Sequence, residues 1–358
     1  MLVLLDAYLI FAALLFLGLL ALDINRALAG REPKRRKAGN YTPKTLVMVP
    51  CKGAEEHLDE DLRSLKNQNY GRYSLVAIVD SPGDGAVSTI RQIGIKVMVS
   101  GRTHKKASGK VRALLTAMDS HRNYDAYVIA DSDATFGRDW LSRLLAPLAD
   151  KRVGISTAFP FFEPEGGFWS RVKMVWGFVG ESLMETKMTR FGWGGSLAFR
   201  KDLMDNRALK MMSESVADDI AITRTATSKG LGIVYVRGAR VKIRSDDGFL
   251  RFAEWSTRQT ALSIFGNGKV LRYGLVYYSA EILVFLTGAA GAFAISPLLA
   301  VMLLHAAASI RRNFERSGEM RLDTALITLL IPFVYLSNLI AASGVRSITW
   351  RGARYRLR

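Results

Sequence analysis

The chain has 358 residues, 49% of them hydrophobic, a mean hydropathy of +0.11 and a formal net charge of +18. It is too apolar for an ordinary soluble enzyme and too polar for a polytopic transporter, and its length admits one α/β domain plus membrane segments. The single cysteine, Cys51, excludes an intrachain disulfide and a cysteine-based metal site, and fits a reducing compartment. Much of the positive excess sits beside apolar segments, at residues 31–37 and 346–358. That placement favours an anionic membrane surface. No zinc-ligand spacing, recognition-helix signature or aromatic-basic motif directs it to nucleic acid.

Residues 2–22 are almost wholly apolar, broken by Asp6 and Tyr8. At ~1.5 Å per residue they span a ~30 Å hydrocarbon core. The positive charge follows this run (Arg26, Arg31, Lys34) instead of preceding it, which predicts a retained anchor with its C-terminal side in the cytosol. Thr45–Pro50 reads as a buried parallel strand. Residues 55–67 read as a helix with Leu58, Leu62 and Leu65 on one stripe. A second strand, 75–79, ends at Asp80 and a turn-rich Ser-Pro-Gly-Asp-Gly; Lys96–Val99 is a third. Residues 110–118 form a helix entered through Ser-Gly, and a fourth strand, Ala126–Ala130, runs into Asp131-Ser132-Asp133. Such alternation predicts an α/β domain with a mostly parallel sheet, whose ligands sit past the carboxyl ends of the strands.

Residues 159–188, rich in Trp, Phe and Met, read as an amphipathic interfacial helix after a Pro-Gly loop, or as a domain-packing helix. Residues 192–200 are glycine-rich, then strand-like; 233–236 and 240–243 are short strands, and 249–265 is helical. Residues 275–308 are apolar apart from Glu281 and Pro297, too long for one straight span, and so form a kinked helix or a tight hairpin. A polar link at 311–321 leads to a further span at 322–342 and to a tail with five arginines, expected in the cytosol. Two crossings between domain and tail satisfy that expectation; a hairpin followed by a third crossing would leave the tail outside. The predicted layout is an anchor at 1–24, a basic linker at 25–44, the catalytic domain at 45–272, membrane helices at 273–343 and the tail at 344–358.

The chemistry is carried by acids at the ends of predicted elements: Asp80, Asp131 and Asp133, and Asp218-Asp219, followed by Arg251, Glu254 and Trp255. A nucleotide-sugar must lose a diphosphate. A hard cation, Mg²⁺ or Mn²⁺, held by one or two carboxylates and the phosphates neutralises the charge that develops. Asp131 and Asp133 suit that metal, with Asp131 also facing the donor. Asp80 suits the uracil or ribose. Asp219, or Asp218 beside it, suits proton removal from an acceptor hydroxyl, and direct displacement inverts the anomeric centre. Arg251 and Arg258, with Lys52 or Lys110, suit phosphate oxygens, and Glu55, opening the first helix, is placed with the donor set.

The order of these motifs resembles family 2 glycosyltransferases of the GT-A fold, and most of all ceramide glucosyltransferase and its prokaryotic relatives. The likeness rests on the Pro-Cys-Lys-Gly of residues 50–53, Asp80, Asp131/Asp133, the glycine-rich 192–201, Ala217-Asp218-Asp219, the Arg-Phe-Ala-Glu-Trp of 251–255 and the Trp-Arg-Gly-Ala-Arg-Tyr-Arg-Leu of 350–357. It implies a UDP-hexose donor, a membrane lipid acceptor, Asp219 as base, and donor-pyrophosphate and acceptor-site roles for Arg251 and Trp255. Two departures stand out. Glu254 occupies the family's inner arginine, which Arg258 one turn on would replace, and the acid pair is Asp-Asp in place of Glu-Asp. Competing readings are a processive polysaccharide synthase, a polyprenyl-phosphate sugar transferase, and a basic tethered binding protein with structural acids.

Overall fold

The computed structural model describes residues 2–29, 41–101, 103–104, 106–350 and 352–357; the basic run at 31–37 lies outside them. Helix α1 (Leu2–Ala29) precedes the alternating unit β1 (Thr45–Pro50), α2 (Leu58–Lys66), β2 (Tyr73–Val79), α3 (Ala86–Ile93), β3 (Lys96–Val99), α4 (Gly109–Ser120), β4 (Ala126–Ala130) and α5 (Trp140–Leu145). Then come β5 (Val153–Thr157), β6 (Pro160–Pro164), α6 (Phe168–Glu185), β7 (Ser196–Arg200), α7 (Asn206–Ser213), α8 (Asp218–Ser228), β8 (Gly232–Tyr235) and β9 (Val241–Ser245). Helices α9 (Phe249–Gly266), α10 (Lys269–Ala294), α11 (Leu304–Ser317) and α12 (Leu322–Ser343) lead to a hairpin of β10 (Ser347–Trp350) and β11 (Ala353–Arg356).

Seven strands form one sheet in the order β3-β2-β1-β4-β7-β5-β8. The β3-β2-β1-β4 half is parallel and β7 runs antiparallel to both β4 and β5. Alternate side chains of β1 serve opposite cores: Val47 and Val49 pack with α2, α3 and α5, while Leu46 and Met48 pack with α4 and α8. Each fully buried aliphatic side chain, such as Leu62 or Leu114, contributes about 1.5–3 kcal/mol.

The stretch at 159–188 is not one helix. Its first part is β6, which pairs in parallel with β9 in a separate two-stranded sheet, and only Phe168–Glu185 is helical. The prolines at 160 and 164 explain this, since each favours extended backbone in the residue before it. Helix α6 then packs in a seam with α9 and α12, where Trp176 stacks on Tyr335 at 4.9 Å and the Tyr335 hydroxyl donates to the Trp176 carbonyl at 2.8 Å.

Among the described residues, three helices are long and apolar enough to cross a membrane: Val3–Leu28, Lys269–Ala294 and Leu322–Ser343. After α10 the chain turns at Ser296-Pro297 and folds back, with Leu299 against Gly291 and Leu303 against Gly288, so 275–308 is a hairpin. His305 on the return bridges Asp23 of α1 (2.7 Å) and Glu281 of α10 (2.8 Å), and Arg312 adds an ion pair to Asp23 at 2.9 Å. The expected polar link is the far part of α11, whose Arg316 reaches Glu185 of α6 at 2.9 Å. The hairpin nonetheless leaves the tail beside the sheet. Helix α12 starts with Asp323 paired to Arg171 of α6, nears its end with Asn338 against Ser256 of α9, and leads to a tail that bonds the start of α4.

Candidate active site

The parallel strands β1, β2 and β4 end on one edge of the sheet, which delivers Cys51-Lys52, Asp80 and Asp131 side by side. Because β7 is antiparallel to β4, its entry and not its exit lies at that edge, so the glycine-rich approach arrives there as well; the Asp131 amide donates to the Gly195 carbonyl at 3.2 Å. Helix α4 adds Lys110 in its first turn, its N-terminus capped by Ser108, whose hydroxyl accepts from the Val111 amide. Helix α8 adds Asp218 and Asp219 in its own first turn, where the helix dipole favours negative charge.

Lys110 ties the cluster together. Its ammonium donates to Asp131 Oδ1 at 2.6 Å and to the Gly194 carbonyl at 3.1 Å, and stands 3.7 Å from Asp218. The site is closed too tightly for any side chain at the glycines. A Cβ on Gly194 would lie 2.4 Å from Asp218 Oδ2, and one on Gly195 would lie 2.2 Å from the Trp193 ring and 2.6 Å from Asp131 Oδ2. The residue type is therefore dictated by the approach of the two acids to the backbone.

Burial pushes the Asp218 carboxyl up against the pull of Lys110, and its Oδ2 is buried without a hydrogen bond. Burial, joined by repulsion from Asp218, raises Asp219 to about 7; Lys110 and the Ile220 and Gly194 amides oppose that rise. Burial works against the Lys110 ammonium, but Asp131 and Asp218 outweigh it and hold the group charged. One lysine thus offsets an acid cluster that would otherwise repel itself.

The other predicted residues fall into two groups. Asp80, exposed at the β2 end, pairs with Lys52 at 3.3 Å, and Glu55 accepts from the Ser132 hydroxyl at 3.2 Å, so both join the same cleft. Asp133 is exposed one turn residue beyond Ser132. Arg251, Glu254, Trp255 and Arg258 follow at helical spacing on α9, with Trp255 partly buried against the core that holds Phe252. Arg251 bonds the Asp246 carbonyl at 2.9 Å. Trp255 lies edge-on to Phe162 and Trp176 at 5.0 and 4.9 Å, and the Lys173 ammonium sits 4.6 Å over its ring. Lys173, half hidden in a Trp-rich segment, escaped sequence reasoning, as did its ion pair with Asp247 at 2.9 Å.

Among the described residues no group of three or more His, Cys, Asp or Glu side chains is arranged to hold a metal. Asp131 and the exposed Asp133 fit a hard divalent cation whose remaining ligands are substrate oxygens and water, since such ions need only one or two protein carboxylates.

Among solved structures, the chain is similar to a mannosyltransferase from Pyrobaculum calidifontis in complex with GDP-Man and Mn²⁺, at 18% identity and a TM-score of 0.57, over 94% of this chain and 97% of that one. It is also similar to glucosyl-3-phosphoglycerate synthase from Mycobacterium tuberculosis in complex with Mn²⁺ and UDP-glucose, at 15% identity and a TM-score of 0.43, over 66% and 85%. The first likeness carries the fold, which is GT-A. No curated protein sequence matches. The family match extends over residues 7–358, from the first helix through the tail hairpin, and is to family 21, where the motif order had resembled family 2. With its sheet-edge acids and that full-length match, the chain belongs to glycosyl transferase family 21.

Proposed function

We propose that this glycosyltransferase moves a hexose, glucose by the family likeness, from UDP to the hydroxyl of a membrane lipid such as ceramide, with inversion and at the cytosolic face. The observation that carries the reading is the gathering of Asp131 and Asp218/Asp219 about Lys110 at the sheet edge where Asp80 pairs with Lys52. Asp80 and Lys52 would receive the nucleoside, with Glu55 beside them. Asp131 and Asp133 would hold Mg²⁺ or Mn²⁺, which when bound neutralises the diphosphate. Asp219, raised to about 7 by burial and then by Asp218, is poised to accept a proton at neutral pH. Arg251 and Arg258 would face donor phosphates and Trp255 the acceptor. The apolar helices, of which α10 and α12 pack in one seam with α6 and α9, support a lipid acceptor and a membrane location. The proposal keeps the layout of an anchor at 1–24, a basic linker at 25–44, the catalytic domain at 45–272, membrane helices at 273–343 and a tail at 344–358.

The test is incubation of the purified protein with a panel of UDP- and GDP-sugars, Mn²⁺ or Mg²⁺, and native membrane lipid, followed by mass spectrometry. GDP-Man belongs in the panel because the Pyrobaculum mannosyltransferase was solved with it. One sugar per lipid is expected; a ladder would favour a polysaccharide synthase, and a polyprenyl-phosphate product would change the acceptor class. Asp133→Ala and Asp219→Ala should each abolish transfer in folded protein, and full activity in both would overturn the assignment.

A further inference from the structure

The last residues of the chain come back to the cleft. Strands β10 and β11 form an antiparallel hairpin turned at Gly352, whose φ of +79° is open to glycine and strained for other residues. Register pairs Ile348 with Tyr355 on one face and Thr349 with Arg354 on the other. Ile348 is buried and Tyr355 half-buried, whereas Arg354 and Arg356 are exposed and Arg354 bonds Ser347 across the strands. The inward face of the hairpin is therefore the aromatic one, and the arginines point away from the protein.

The Tyr355 hydroxyl accepts a hydrogen bond from the Gly109 amide at 3.2 Å, across 246 residues of sequence. A Cβ on Gly109 would lie 3.8 Å from that hydroxyl and 3.8 Å from Asp80 Oδ1, with Arg112 Nη2 at 3.9 Å. Tyr355 and Asp80 thus flank the same glycine at the sheet edge that carries the acids. Its oxygen holds the amide, so the hydroxyl proton is available to an acceptor on the cleft side.

We propose that the C-terminal hairpin is a wall of the donor site and that Tyr355 is a donor-positioning residue at its nucleoside end. It fixes the loop that carries Gly109 and Lys110 and presents a hydroxyl beside Asp80. This rests on the donor reading above and adds to it a residue outside the sheet-edge acids.

The experiment compares wild type, Tyr355→Phe and Tyr355→Ala in detergent, measuring donor KM, acceptor KM, kcat, melting temperature and UDP·Mn²⁺ affinity by calorimetry. Tyr355→Phe keeps the ring and its packing and loses one neutral hydrogen bond, so donor KM and the UDP dissociation constant should rise about three- to tenfold. Acceptor KM, kcat and melting temperature should stay within twofold or a degree or two of wild type. UDP·Mn²⁺ should also slow tryptic cleavage at Arg354 and Arg356 in wild type, and less so in Tyr355→Phe. Unchanged donor KM and UDP affinity in Tyr355→Phe would overturn the proposal. So would donor and acceptor KM rising together with a lowered melting temperature, which marks a purely structural role. If wild type itself neither binds UDP nor turns over any nucleotide-sugar, the donor reading falls first; if wild type does both and Tyr355→Phe matches it, only the role of the tail falls.

Discussion

Replacing Lys110 by methionine removes the one ammonium shared by the acids of β4 and α8. At 2.6 Å from Asp131 and 3.7 Å from Asp218, Coulomb's law with an effective dielectric of about 20 gives roughly 6 and 4.5 kcal/mol of gross attraction. Desolvation of the three groups offsets much of this. What remains after removal of one partner of a buried pair is a loss of about 3–5 kcal/mol. Asp131 is 28% exposed and regains water, whereas Asp218 is only 6% exposed, so the lower end, about 3 kcal/mol, is expected and most of it belongs to Asp218. With the lysine gone, Asp218 and Asp219 both lose the influence that lowers them, and the deficit should grow as pH rises. Chemical unfolding in one detergent, with Lys110→Met, Asp218→Asn and the double variant as a cycle, measures this. The double variant should recover at least half of the loss. A Lys110→Met cost under about 1 kcal/mol, or an Asp218→Asn loss that simply adds to it, would refute the claim that one lysine neutralises both acids.

Asp219 has a folded value of about 7 against an ordinary 3.8, so its penalty on stability is absent below about pH 4, develops as pH rises and is complete above 7. Asp219→Asn should therefore stabilise the protein by ~1–2 kcal/mol at pH 8 and not at pH 4 in unfolding measurements, while abolishing transfer; the discount from the full shift reflects solvent reaching a half-buried group. Gly195→Ala forces Trp193 or Asp131 aside and should lower kcat/KM about 10²-fold in donor-saturation assays, with the circular dichroism spectrum unchanged. Arg316→Met breaks the tie of α11 to Glu185, which retains Arg237, so it should cost about 1–2 kcal/mol by thermal unfolding, less than Lys110→Met.

Much of this architecture is legible in the residues. Strands β1 and β4 are continuous apolar runs because both faces of the central sheet are covered, and each ends where a polar ligand group begins. The acid order Asp80, Asp131, Asp218-Asp219 also pointed to one cleft, since parallel strands export their ends to one edge. Strand β6 was hidden because Phe161-Phe162 runs into the Trp- and Phe-rich α6, and its only ladder is with β9, some 80 residues later. The tail hairpin was masked by its arginines, although Ile348 and Tyr355 with Gly352 between them carry the alternation and the turn. Lys110 is a candidate from the sequence, but its choice between substrate phosphate and the acids depends on where α8 begins relative to α4, a tertiary fact.

The Tyr355–Gly109 bond also sets an order of events during synthesis. Helices α10 and α12 and every strand of the sheet are made before Tyr355, so the sheet can form before this contact does. A chain cut before Tyr355 would keep every strand of the sheet and all of the sheet-edge acids, yet the start of α4 would lack a partner that lies 246 residues further along the sequence.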